Sequence, residues 1–181
     1  MDSKTKGMVM AGMVVLSLVL GLLAVLGSSW MTADESGIEA NYGLSEAEVE
    51  MTFMGETVSD TASYSEVCDE GGEDEMCDLG TAGTIGQIGL WVGIVMAAVF
   101  AAMMILPMAG IDAMDGMPDI AQKIVSWGAG GMMLLGTIGW MIMAPEMPDE
   151  FGYGMSFFMA IIAGVLGLAA PAMDMFVAAD E

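Results

Sequence analysis

Apolar positions along this chain are gathered into four long uncharged runs, 7–33, 79–111, 124–145 and 151–173. Each contains at least about 20 apolar residues, enough for a helix rising about 1.5 Å per residue to cross a hydrocarbon core of roughly 30 Å. The pattern predicts four transmembrane helices over 7–27, 85–106, 124–144 and 151–173. The longest polar interval, 28–84, reads differently. Glu48-Val49-Glu50-Met51-Thr52-Phe53 alternates with period two, which puts Val49, Met51 and Phe53 on one face of a strand. A second strand is expected over 61–67, and Gly71-Gly72 offers a hairpin turn after it. The expected fold is a membrane all-α bundle of four helices, with a small antiparallel β-sheet in the long first loop lying on the helix ends.

Composition sharpens this picture. Of 181 residues 56% are hydrophobic, yet the formal net charge is −22. So few charges could not cover so much apolar surface if spread evenly, so the two properties are segregated along the chain. Lys4, Lys6 and Lys123 are the only basic residues. Four spans with a cytoplasmic N-terminus put all three on the cytoplasmic side, as the bias of membrane proteins requires. Both termini are then cytoplasmic, as are the loop 107–123 and the tail 174–181, while 28–84 and 145–150 are extracellular. The first run also has features of a secretory signal, with Lys4 and Lys6 before it and Val25, Gly27 and Ser28 as cleavage-site residues, but it exceeds the usual signal core of about 7–15 residues. Trp30, Trp91, Trp140, Phe151 and Tyr153 fall near the extracellular span ends and Trp127 near a cytoplasmic one, the pattern of interfacial aromatics.

The two cysteines, Cys68 and Cys77, lie in the extracellular loop, where the medium is oxidising and a disulfide persists. Two thiols without histidine do not fill a tetrahedral zinc site, so a disulfide across a hairpin is favoured over a metal. The loop carries 15 acids and no Lys or Arg. Six of them, Asp69, Glu70, Glu73, Asp74, Glu75 and Asp78, crowd around the cysteines and are candidate cation ligands. They lack EF-hand spacing, so diffuse counterion binding is favoured over a specific calcium site. Such a loop repels itself and needs salt to compact, which suggests adaptation to saline surroundings.

The available chemistry is narrow. Histidine and arginine are absent, so there is no imidazole base and no guanidinium clamp. No acid or base lies within the predicted spans, where pumps and transporters usually carry one. Asp112-Ala113-Met114-Asp115-Gly116 resembles the opening of the aspartate motif of CDP-alcohol phosphotransferases, but Asp119 and Ile120 stand where its Ala-Arg pair belongs, and the next span holds no acid. The 23 methionines recur without a common spacing and read as flexible apolar filler rather than a copper site. Ser17, Ser126 and Ser156 have no partner base and read as small residues at helix contacts. Two small-residue stripes are more informative. Gly89, Gly93, Ala97 and Ala101 recur every fourth residue in the second span, and Ser156, Ala160 and Gly164 in the fourth, building flat faces for close helix approach. No metal, cofactor or nucleic acid is implied.

Four spans with inside termini, a long first extracellular loop with two nearby cysteines, Trp30 just after the first span and a short second extracellular loop together resemble the claudin and peripheral-myelin-protein group. The resemblance covers the whole chain in topology and Trp30, Cys68 and Cys77 in motif. It implies a non-enzymatic cell-membrane protein of structural or interaction kind, assembling with other membrane proteins or with itself. The alternative is an accessory subunit of a membrane transporter or membrane enzyme complex.

Overall fold

The computed structural model describes residues 2–35, 38–53, 56–71, 74–111, 116–145 and 151–176. Helix α1 (Ser3–Leu26) leads into strands β1 (Met31–Glu35), β2 (Ile38–Tyr42), β3 (Glu46–Phe53) and β4 (Glu56–Ser63). The short helix α2 (Tyr64–Asp69) follows, then α3 (Asp74–Met108), α4 (Asp119–Met143), strand β5 (Phe151–Tyr153) and α5 (Met155–Phe176). The four helices α1, α3, α4 and α5 are long and apolar enough to cross a membrane. They pack in a ring, α1 against α3, α3 against α4, α4 against α5 and α5 against α1.

Small residues set how closely the ring closes. A Cβ on Gly89 of α3 would overlap the backbone of Gly136 on α4, and one on Gly93 would lie 2.9 Å from both the Ala129 carbonyl oxygen and the Met133 nitrogen. On the α4–α5 side, a Cβ on Gly130 would overlap the Gly164 carbonyl, and one on Gly167 would lie 2.7 Å from the Gly130 Cα. Such contacts bring backbones close enough for dispersion between main chains to hold the helices. Ala97, Ala101, Ser156 and Ala160 are buried along the same faces. Ser17 of α1 donates its hydroxyl to the Ala163 carbonyl of α5 at 2.6 Å, so a buried polar group is satisfied across helices.

Five strands form one antiparallel sheet in the order β4-β3-β2-β1-β5. The outer strand β5 comes from the connection between α4 and α5, so the sheet is built from two loops where the alternation pointed to one. Backbone bonds carry this ladder into the helices: Gly154 N–H donates to the Trp30 carbonyl at 2.9 Å and Ser156 N–H to the Ser29 carbonyl at 3.0 Å. The end of α1 and the start of α5 are thereby fixed to the sheet.

Several expectations are corrected. The expected strand over 61–67 is instead the end of β4 followed by α2. Ser63 caps that helix, its hydroxyl accepting from Glu66 N–H at 3.3 Å, and Ser63-Tyr64-Ser65-Glu66 is the sequence of a capping box. The cysteines therefore do not face each other across a β-hairpin; they join α2 to α3. The second long helix begins at Asp74 rather than 85, because its first turns pack on the sheet end instead of stopping at the apolar boundary: Leu79 and Ala82 are fully buried. Asp74 and Glu75 at its start also suit the positive end of the helix dipole. The third begins at Asp119 rather than 124, and the fourth runs over Met155–Phe176 because 151–153 belongs to the sheet. Trp30 and Trp140 are both fully buried and pack against protein, whereas Trp91 and Trp127 are exposed.

Candidate functional site

The register divides the sheet into two unlike faces, since side chains alternate along each strand. On one face the rung nearest the helices aligns Tyr153, Met31, Tyr42, Ala47 and Ala62. Met31 and Ala47 of this rung are buried in the main core. A rung further from the helices aligns Ile38, Met51 and Val58, all exposed. The opposite face carries Thr32, Asp34, Glu39, Asn41, Glu46, Glu48 and Glu50, continued on β4 by Thr57, Ser59, Thr61 and Ser63. Asp34, Glu39 and Glu50 are direct cross-strand partners in one row. Carboxylates so placed have Cβ atoms about 5 Å apart, and like charges directly opposite are destabilising. The strand β4 closes one edge with all but its last residue exposed.

An aromatic cluster joins this sheet to the helices. Trp30 donates its indole N–H to the Ala24 carbonyl at 2.8 Å, which turns the chain back over the end of α1. Its ring meets Trp140 edge-on at 5.1 Å and Phe157 at 6.1 Å, and Tyr153 stacks on Phe157 at 4.3 Å. Such pairs contribute about 0.5–1.5 kcal/mol each beyond the area they bury. The indole nitrogen of Trp140 is buried without a hydrogen-bond partner among the described residues. On the other side Tyr64 is buried, donates to the Gly43 carbonyl at 3.1 Å and receives the β2–β3 connection through its own N–H to Ser45. Desolvation, reinforced by Tyr42 and the Glu46 carboxylate, raises the Tyr64 phenol well above its ordinary value of 10.0. Burial also raises Tyr42.

The Cys68–Cys77 disulfide fastens α2 against the start of α3, with the two Cα atoms 5.6 Å apart. Closing a ring of this size is worth roughly 2.5–3 kcal/mol in the chain-entropy account. Asp69, Glu70, Asp74, Glu75 and Asp78 around it are exposed, and Glu73 lies outside the described residues. Among the described residues, no three His, Cys, Asp or Glu side chains gather where they could hold a metal ion. The loop acids that do align are those of the sheet face, which the sequence reading did not single out; their signal is the period-two spacing Glu46, Glu48, Glu50. Asp112 and Asp115 of the rejected phosphotransferase motif lie outside the described residues.

Among the described residues, no nucleophile is paired with a base. The arrangement offers a two-faced sheet, edge open, held on four apolar helices. No protein-family model matches the chain, and no curated protein matches it in sequence.

Proposed function

We propose that this chain is a non-enzymatic, multi-pass cell-membrane protein with a structural or protein-interaction role, claudin-like in layout. Its termini are cytoplasmic and its sheet extracellular. One observation carries the reading: the division of the surface. The outward faces of the helices carry Leu23, Val95, Leu135 and Val165, all more than half exposed. Helices apolar on both inward and outward faces suit lipid, not water. The outward face of the sheet is polar and acidic instead, and suits water and its ions. Lysine at 4, 6 and 123 belongs to the end of the bundle opposite the sheet, which supports the orientation. A sheet anchored at one end and free along β4 has main-chain donors and acceptors open to a neighbouring protein, the mode by which strands are added to an edge.

Two measurements test this. After reduction, a membrane-impermeant thiol reagent should label Cys68 and Cys77 on intact cells, and labelling only after permeabilisation overturns the orientation. Crosslinking on intact cells through a cysteine placed at Ser59 on β4 should capture a second copy or another membrane protein. Capture of nothing above background removes the interaction role, and capture of one foreign subunit in fixed ratio moves the chain to the accessory class.

A further inference from the structure

At the end of the bundle opposite the sheet, the helices enclose a cleft of about 690 Å³. Its apolar wall is made by Met10 of α1, Phe100 and Met103 of α3 and Met175 of α5. Phe100 also belongs to the smaller core with Val14, Ala101 and Ala170, so the cleft has a packed floor. Its rim is polar and comes largely from one helix: Asp119 and Lys123 of α4 line it one turn apart, with Trp127 on the next turn.

Among the described residues, the charges on this rim are balanced. Asp174 of α5, also in the lining, is met by the Lys6 ammonium at 3.2 Å. That leaves one carboxylate and one ammonium, Asp119 and Lys123, facing the cleft from adjacent turns. Lys123 makes no ion pair among the described residues. Elsewhere a chain of net charge −22 repels any anion. Here both signs stand beside an apolar wall, at the level where span and headgroup meet if the helices cross the membrane as proposed above.

From this geometry we infer that the cleft holds a phospholipid with a zwitterionic phosphate–ammonium headgroup. Lys123 takes the phosphate, Asp119 takes the ammonium, and one acyl chain lies along Phe100, Met103 and Met175. A lysine is a compact charge that binds phosphate, and Asp119 and Lys123 at i and i+4 are spaced as neighbours on the helix face, as the two charges of such a headgroup are. A purely anionic headgroup would satisfy Lys123 and meet repulsion from Asp119. Trp127, exposed beside the rim, is placed as interfacial indoles are.

The inference rests on the membrane reading, and the test separates the two. The full chain in detergent is given equimolar phosphatidylethanolamine and phosphatidylglycerol, and bound lipid is counted by native mass spectrometry. The wild type should retain phosphatidylethanolamine in preference. Lys123→Gln should lower retention of both lipids, by roughly fivefold, the factor of one charge at a lipid surface. Asp119→Asn should lower phosphatidylethanolamine alone and erase the preference. Both residues are exposed, and an unchanged melting temperature verifies that each variant folds. Ser126→Phe, filling the cleft from its wall, should lower retention of either lipid. Soluble phosphoethanolamine at the same concentration should displace nothing; displacement would overturn the role of the acyl chain. Release of the wild type from membranes by alkaline carbonate overturns the membrane reading and this inference together. A carbonate-resistant chain that retains both lipids equally, or whose preference survives Asp119→Asn, overturns this inference alone.

Discussion

Tyr64 ties three elements together: its backbone N–H bonds the β2–β3 connection, its ring lies under Gly80 of α3, and its hydroxyl bonds Gly43. The phenol is neutral in this setting, and burial beside Glu46 opposes its ionisation. The unfolded phenol titrates near 10.0 and the folded one higher, so this contribution to stability is intact below pH 10.0 and lost as pH rises above it. Tyr64→Phe should cost about 1 kcal/mol at neutral pH through the lost hydrogen bond and the Gly43 carbonyl left behind. The same variant should unfold less steeply between pH 10 and 12 than the wild type, a window set by the upward shift. Near-ultraviolet circular dichroism against pH measures both effects, and parallel alkaline curves would show that Tyr64 does not control this end of the protein. Trp30 and Trp140 belong to this scale too. A tryptophan at the end of an apolar run looks interfacial in one dimension, but in three these two indoles meet and exclude water.

Between elements, glycine decides. Gly89 and Gly131 are both helical, but a Cβ on Gly89 overlaps the Gly136 backbone while one on Gly131 meets nothing within 4 Å. Gly131→Ala should therefore stabilise by roughly 0.5–1 kcal/mol through the backbone entropy of glycine. Gly89→Ala should destabilise by roughly 1–3 kcal/mol, because neither main chain can yield without parting α3 from α4. Thermal unfolding in detergent compares them, and shifts of the same sign would mean the α3–α4 contact is not close-packed. The every-fourth-residue spacing of Gly89 and Gly93 was legible along the chain. Its partner was not, because the α4 residues it meets, Ala129, Met133 and Gly136, form no such stripe. Helix α2 was legible in its capping box and concealed by the β-rich composition just before it. The disulfide needed no structure, since a chain with two cysteines has one intramolecular pairing, but the helices it joins did.

For the molecule as a whole, the row Asp34, Glu39 and Glu50 makes the sheet costly to assemble at low ionic strength. At about 0.1 M salt charges are felt over roughly 10 Å, beyond the cross-strand spacing, and near 1 M over about 3 Å, within it. Amides of β2 and β3 should gain hydrogen-exchange protection between those salt concentrations. Amides of α4 and α5, which carry no such row, should not. Glu39→Gln, removing the middle charge of the row, should show at low salt the protection that the wild type reaches at high salt. If β2 and β3 protect equally at both concentrations, the acidic face is not what limits the sheet.

Four apolar helices, their order and the segregation of charge follow from the sequence alone, because hydrophobic length is a property of consecutive residues and the cost of burying peptide groups in hydrocarbon leaves them only the helix. The identity of the loop that holds a sheet followed in the same way from Val49, Met51 and Phe53. Tertiary structure alone decided that Phe151-Gly152-Tyr153 completes that sheet, since three residues carry no period and are strand only because Met31, Thr32 and Ala33 lie beside them. It alone aligned Asp34 with Glu39 and Glu50, because register is a relation between strands that one-dimensional alternation leaves undetermined. It alone set Asp119 and Lys123 over an apolar floor from three other helices, since a cleft exists only where elements remote in sequence fail to meet.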